Sequence, residues 1–439
     1  MSRSVIIWLT ALISFSTTLA SAQDVSSGTP LPCLDVRIAS VRDFDEKVAK
    51  LDAENRDLKS RIEKAADDGE KQELQRRLDP IQAQLLDLTF QRECVRTDYK
   101  IQVLRAPGEP PPAWVETTAF FATNRAATGN AAPEKFFGSD RRADLQYGKT
   151  VISIPTARRP GDLNLPSLWR FELTADPSKH FIFKSLTPLG TNDAQAQLAA
   201  AIKASPKQSL LVFVHGYNVS FFDAAMRTSQ LAHDLSFQGE AIFFSWPSAA
   251  TTSGYSHDEK AVQLSEPAFD QFLDDLGKSG ATNIILVAHS MGNRLVTKVL
   301  SDRASRGKPT PNLHELLLAA PDINAEIFRE QILPGLEKLQ GTHRSIYASS
   351  SDLALRASKI VHDYRRVGET IGGVLTFADF ETIDASGVAP ALRSFGHSYV
   401  VDSAKVLGDI AETIDLHFDA DQRNLPRQGA PPSAWWLLK

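Results

Sequence analysis

The stretch Asn283-Ile-Ile-Leu-Val-Ala-His-Ser290-Met-Gly292 runs from a continuous apolar segment into a turn of small residues and then into a helical pattern. A serine at such a strand–turn–helix junction is held on a sharp turn that exposes its hydroxyl above the sheet. The positions two before and two after it must be small, because strand and helix nearly touch there. Ala288 stands where the pattern usually begins with Gly, and adds only a methyl group. The chemistry this arrangement suits is acyl transfer, with Ser290 Oγ as nucleophile and the Met291 backbone N–H aimed at the developing oxyanion. A second donor is expected after an earlier strand, where Leu210–Val214 leads into His215-Gly216-Tyr217-Asn218. Gly216 lets the backbone pass close to a bound carbonyl, so the Tyr217 N–H points into the hole with Asn218 beside it.

A serine hydroxyl needs a base, and the base needs an acid to orient it. Five histidines follow Ser290: His314, His343, His362, His397 and His417. His314 and His343 fall at the starts of strands, the end opposite the nucleophile, while His362 lies in a helical pattern and His417 in or after the last helix. His397, in the loop Ser394-Phe-Gly-His397-Ser398 after the final strand, is the expected base. Asp352 and Asp322 each follow a strand beyond the serine; position favours Asp352 as the acid, with Asp322 the alternative.

Trp246, in Ser245-Trp-Pro-Ser248, either walls an acyl pocket or is an ordinary buried tryptophan. Tyr255, His257 and Asp258 are read as a loop able to act as a lid. His257-Asp258-Glu259 lacks the spacing of a metal site, and neither a phosphate-binding loop nor a dinucleotide fingerprint precedes a helix. No metal or cofactor is therefore expected.

The elements that must position these residues follow from the hydrophobic pattern. Apolar strand-like runs are expected at 115–122, 150–154, 180–186, 209–214, 241–245, 283–288, 315–319, 345–349 and 377–383. From 209 onward helices around 223–235, 267–276, 292–303 and 353–366 separate them. Continuous apolar strands with intervening helices predict an α/β fold, its mostly parallel sheet covered on both faces.

Outside this region the chain changes character. Residues 1–22 combine Arg3, an apolar run and Ala20-Ser21-Ala22, the pattern of a cleaved export signal. Residues 33–99 form a charge-dense segment, with 29 charged residues among 34–99. Its apolar side chains recur at alternating three- and four-residue spacing on either side of Ala66-Asp-Asp-Gly69, predicting an antiparallel, coiled-coil-like helical hairpin. Cys33 and Cys94 flank its open end, and an oxidising compartment would let them bridge. Residues 100–113 read as a Pro-rich linker, 114–425 as the catalytic domain, and 426–439 as a Trp-containing tail that docks on the domain or meets a membrane surface.

Several of these motifs together resemble one bacterial family. Phe120-Phe-Ala-Thr-Asn-Arg125, Val212-Phe-Val-His-Gly-Tyr-Asn218, Phe244-Ser-Trp-Pro-Ser248, Ala288-His-Ser-Met-Gly-Asn-Arg294, Ala320-Pro-Asp322 and His397-Ser398 are similar to those of an α/β-hydrolase family named only as a domain of unknown function. The resemblance implies a serine hydrolase of lipase or esterase type and no particular substrate. The expected function is thus hydrolysis of a small-molecule ester or lipid by an exported, periplasmic or secreted enzyme. Acyl transfer to another acceptor is the first alternative, and an inactive scaffold presenting its hairpin to an envelope partner the second. The hairpin is also where a homo-oligomer would form. A net charge of −5 provides no broad basic surface, so nucleic acid is not an expected partner.

Overall fold

The computed structural model describes residues 41–65, 67, 69–78, 80, 81, 84, 112–163, 165, 175–308, 310, 312–350, 364–388 and 402–438. The expected export signal, Cys33, Cys94, Asp352 and His397 lie outside the described residues. Two compact units divide the chain, Met1–Leu104 and Arg105–Lys439. In the first, helix α1 spans Val41–Lys64 and a second helical stretch, α2, covers 69–78. Leu58 on α1 and Leu74 and Leu78 on α2 are buried, so the helices pack through apolar positions.

The second unit is built on one sheet. Strands β1 (Trp114–Ala127), β2 (Phe137–Pro155) and β3 (Ile182–Leu189) pair antiparallel in sequence order. β1 then joins β5 (Glu240–Ser245) in parallel. Beyond β5 the parallel neighbours are β4 (Ser209–Val214), β6 (Asn283–His289), β7 (Leu313–Ala319), β8 (His343–Ala348), β9 (Glu381–Asp384) and β11 (Trp435–Leu437). β10 (Arg427–Gln428) closes the edge antiparallel to β11.

Alternate residues of the central strands feed opposite layers, as a pleat with period two requires. Leu210, Val212 and Val214 enter a layer with Leu198 of α3 (Thr191–Ala204), Phe272 of α6 (Glu266–Leu276) and Val299 of α7 (Gly292–Ser305). Leu211 and Phe213 enter the other, with Leu231 of α4 (Phe221–Asp234) and Ile410 of α8 (Ala404–Leu416). Both faces are thereby covered, which is why these strands read as unbroken apolar runs rather than alternating ones.

The connections fix where a site can form. From β4 the chain passes through α4 to β5, then returns by α5 (Tyr255–Leu264) and α6 to β6, on the far side of β4. From β6 it continues away from β4 to β7. The carboxyl ends of β4 and β6 therefore flank a switch point, where diverging connections leave a crevice. The His215–Asn218 loop and the Ser290 turn occupy those two ends.

Some expectations are corrected. The lid loop at Tyr255, His257 and Asp258 is helix α5, and α3 has no counterpart in the sequence reading. Within the expected tail, Arg427–Gln428 and Trp435–Leu437 belong to the sheet: Trp436 pairs with Ile383 and Leu437 with Asp384. Residues 364–366, expected to end a helix, are extended, and Arg366 bridges to Asn324. Among the described residues no helix is long and apolar enough to cross a membrane.

Candidate active site

Ser290 follows directly on β6 and adopts φ of 53°, the left-handed region that a side chain other than glycine seldom enters. Such strain persists only where the surroundings hold it, and here they do. The Ser290 N–H donates to the Ala319 carbonyl at 2.9 Å, which ties the turn to the end of β7. Asn293 Nδ2 donates to the carbonyls of Ser290 (2.9 Å) and Ala319 (3.1 Å), and the Asp322 N–H reaches the Ser290 carbonyl at 3.3 Å. Met291 and Gly292 then open α7, whose amino-terminal dipole is directed at the serine.

The loop after β4 lies against this turn at contact distance. A Cβ on Gly216 would stand 2.6 Å from Ser290 Cβ, and one on Gly292 would stand 2.3 Å from the His215 carbonyl oxygen. Only hydrogen at both positions lets the two loops approach so closely. Next in the loop, Asn218 takes φ of 57° and donates its N–H to Asp258 Oδ2 at 3.0 Å. Tyr217 donates its hydroxyl to the Thr252 carbonyl and meets the Tyr255 ring edge-on at 5.2 Å.

A buried polar lattice holds the loop from behind. Arg125, 1% exposed, extends its guanidinium among four segments. Nε donates to Ser245 Oγ (2.8 Å), Nη1 to the carbonyls of Gly138 (2.9 Å) and Ser248 (3.0 Å), and Nη2 to that of Val219 (2.8 Å). Ser245 Oγ lies 3.2 Å from His215 Nε2, while His215 Nδ1 lies 2.9 Å from the Gly216 carbonyl. Nε2 also lies 3.1 Å from the Trp246 carbonyl, so each ring nitrogen faces a carbonyl and a neutral imidazole donates to one of the two. Burial, reinforced by the Arg125 charge, pulls His215 down from 6.5 to about 3, so the imidazole is neutral.

Asp258 forms the other node. Its Oδ2 accepts from Ser248 Oγ (2.6 Å) as well as from Asn218, and its Oδ1 from the Ala249 N–H (2.7 Å). Asp258 is thus a fully buried anchor joining α5 to the loops after β4 and β5, while His257 beside it is exposed. Trp246 has no exposed surface: it stacks on His215 at 4.8 Å and donates Nε1–H to the His215 carbonyl at 2.8 Å.

Asp322 sits at the carboxyl end of β7, also buried. Its Oδ2 accepts from Tyr255 Oη (2.8 Å) and Arg294 Nη2 (3.1 Å), and Oδ1 is ion-paired with Arg366 Nε at 3.0 Å. Arg294 further holds Glu259 at 2.8 Å, and these anions keep its guanidinium fully charged despite burial. At the end of β8, the Ser349 N–H donates to the Gly368 carbonyl at 2.9 Å, and Ser350 is the last described residue before Asp352. His314, His343 and His417 gather instead at the amino-terminal edge of the sheet, around Glu315.

Arg125, Asn293 and Arg294 were quoted within motifs but given no task by the sequence. Their signal was a cluster of polar residues beside motifs that must be buried, which suggests partners without naming them.

A mostly parallel sheet, a left-handed serine on a strand–turn–helix junction and a glycine loop packed against it define an α/β-hydrolase. The family described as "Alpha/beta hydrolase of unknown function (DUF900)" matches residues 191–411, and the chain belongs to it. No curated protein sequence matches the chain. Among solved structures, a mutant of the esterase rPPE aligns at 11% identity and TM-score 0.31, covering 75% of this chain and 90% of its own. A fungal esterase from Rhizomucor miehei aligns at 12% identity and TM-score 0.30, over 76% of this chain and 89% of its own. An esterase from Pyrobaculum calidifontis aligns at 11% and 0.30, over 52% and 94%.

Two outcomes follow from this geometry. Gly292→Ala drives a methyl into a backbone carbonyl that cannot retreat without moving β4, so it should destabilise the fold by about 2 kcal/mol or more. Gly216→Ala, whose methyl would meet Ser290 Cβ at 2.6 Å, should likewise lower the melting temperature and also lose labelling of Ser290 by a fluorophosphonate; wild-type melting and labelling of both variants would contradict the close approach. The second outcome concerns acid. The unfolded chain protonates His215 from about pH 6.5 downward while the folded one resists to about 3, so stability from this group is present above 6.5 and lost as pH falls toward 3. His215→Gln, which cannot take up a proton, should show a shallower fall of melting temperature between pH 6.5 and 4; a slope identical to the parent would refute neutral burial.

Proposed function

We propose that the chain is an exported serine hydrolase that cleaves carboxylic esters through an acyl-enzyme. The observation that carries this reading is Ser290 in the left-handed region at the carboxyl end of β6, with Gly216 at contact distance. In the proposed mechanism Ser290 Oγ attacks the ester carbonyl as His397 takes its proton. The N–H groups of Tyr217 and Met291 receive the oxyanion, and the tetrahedral intermediate collapses as His397 protonates the departing alcohol. Water then repeats the sequence on the acyl-serine, with His397 again as base, and releases the acid.

For the acid that orients His397 we propose Asp352. Support comes from Asp322, whose two carboxylate oxygens already face Arg294, Arg366 and Tyr255. An anion so engaged serves as a clasp between α5, α7 and the 364–366 segment. Asp352 follows in sequence shortly after β8, the next strand outward from β7, where the acid is expected. Asn218 and Trp246 act in this scheme through the loop, one by its N–H on Asp258 and the other by its ring beneath His215. Export rests on residues 1–22, and the charge-dense 33–99 segment is proposed as a helical hairpin for self-association or an envelope partner, closed by a Cys33–Cys94 bridge.

A fluorophosphonate probe should label the parent enzyme at Ser290 and leave Ser290→Ala unlabelled; undiminished labelling of that variant would overturn the assignment. Asp352→Asn and Asp322→Asn separate the acids. The first should lower kcat by roughly 10,000-fold with little change in melting temperature, whereas the second should chiefly lower the melting temperature. The opposite pattern would make Asp322 the acid.

A further inference from the structure

At the amino-terminal edge of the sheet, far along the strands from Ser290, we propose a binding site for a divalent transition cation of the zinc class, formed by His314 Nδ1, His417 Nδ1 and Glu315 Oε1. The three donor atoms lie within 4.8 Å of one another. Glu315 Oε1 is 3.4 Å from His314 Nδ1 and 3.7 Å from His417 Nδ1. These separations are too long for good hydrogen bonds, which close to about 2.7–3.2 Å. The shorter one matches a tetrahedral metal, where bonds of about 2.0–2.1 Å place donor atoms about 3.3–3.4 Å apart, and the exposed imidazole of His417 must close by a few tenths of an ångström to complete the set.

The carboxylate is prepared for a ligand. Glu315 is fully buried, and its Oε1 has no hydrogen-bond partner among the described residues; nor has His314 Nδ1. A buried carboxylate oxygen that makes no hydrogen bond and only faces two imidazole nitrogens at 3.4 and 3.7 Å is costly, and a cation held between them would satisfy it. The other oxygen, Oε2, is held at 2.7 Å by His343 Nδ1. His343 Nε2 faces Glu381 at 3.2 Å, Glu381 faces Arg423 at 3.3 Å, and Arg423 Nε donates to Asp409 at 2.8 Å. This chain fixes the carboxylate plane as outer partners of metal ligands do, and spends only Oε2 in doing so.

The backbone explains how neighbouring strand residues converge. Pairing of β6 with β7 steps from Ile284↔Leu313 to Ile285↔Glu315, so His314 is the extra residue of a bulge. A bulge re-aims a side chain that would otherwise point to the opposite face. His417 arrives from the end of α8 in a left-handed conformation, φ 52°, and its ring lies 4.2 Å from that of His314. Both imidazoles are partly exposed, leaving a route for the ion and a fourth position for water. Two imidazoles and a carboxylate favour zinc over magnesium, which prefers oxygen donors alone. A bound ion would staple α8 to the start of β7.

The test uses the full-length protein, stripped with chelator and titrated with Zn²⁺ against a chromophoric competitor. The parent should bind an equivalent that is weakened at least about 100-fold in His314→Ala and in His417→Ala, and that Mg²⁺ does not displace. Zn²⁺ should raise the melting temperature of the parent and not that of either variant, while fluorophosphonate labelling of Ser290 stays unchanged in all three. Zinc binding and stabilisation equal to the parent's in both variants, or no zinc-dependent shift in the parent, would overturn the site.

Discussion

The structure turns on one steric constraint: the backbone after β4 and the turn after β6 must approach until hydrogen is all that fits between them. Gly216 and Gly292 meet it from the two sides, one against Ser290 Cβ and the other against the His215 carbonyl. Parallel strands lie about 4.7–4.9 Å apart, and a helix that begins directly at the end of one strand has no room for a Cβ facing the next. The left-handed Ser290 is the complement of that constraint, since the chain can reverse from strand to helix so abruptly only by passing through this region.

Holding two loops in contact requires that neither relax, and the protein achieves this with buried polar groups rather than with apolar packing. Arg125 donates to carbonyls on β2, on the loop after β4 and on the loop after β5, and its removal would leave those acceptors unpaired in a dry interior. Asp258 supplies the matching anion from α5. Truncating one member of such a lattice is more damaging than its net stabilisation suggests, because the remaining members stay buried. The site is therefore stiff where acyl transfer calls for preorganised donors.

What the sequence revealed follows the range of the interactions involved. The Ser290 junction was legible because its requirements are local: an apolar strand, small residues two positions either side, a helix beginning at once. Central strands were legible for a similar reason, burial on both faces leaving continuous apolar runs. α5 was not, because Gly254 and the polar residues Ser256-His257-Asp258 look like a loop until Asp258 is seen to accept from Asn218, Ser248 and Ala249. α3 buries only Ala194, Leu198 and Ile202 along 14 residues, too thin a stripe to stand out. β10 and β11 are two and three residues long, and only pairing with β9 makes them strands. The gathering of His314, Glu315, His343 and His417 spans three elements and a bulge, none of which a linear spacing rule can detect.

In the proposed function, Ser290 carries the acyl group between ester and water. The most direct measurement is rapid-quench turnover of a p-nitrophenyl ester with intact-mass and peptide analysis of the quenched protein. A burst of p-nitrophenol stoichiometric with enzyme, accompanied by an acyl mass increment on the peptide containing Ser290, is the predicted result. Turnover without any Ser290 adduct under conditions where deacylation is slowed by an acyl group bulky enough to trap it, or an adduct on another residue, would contradict the account.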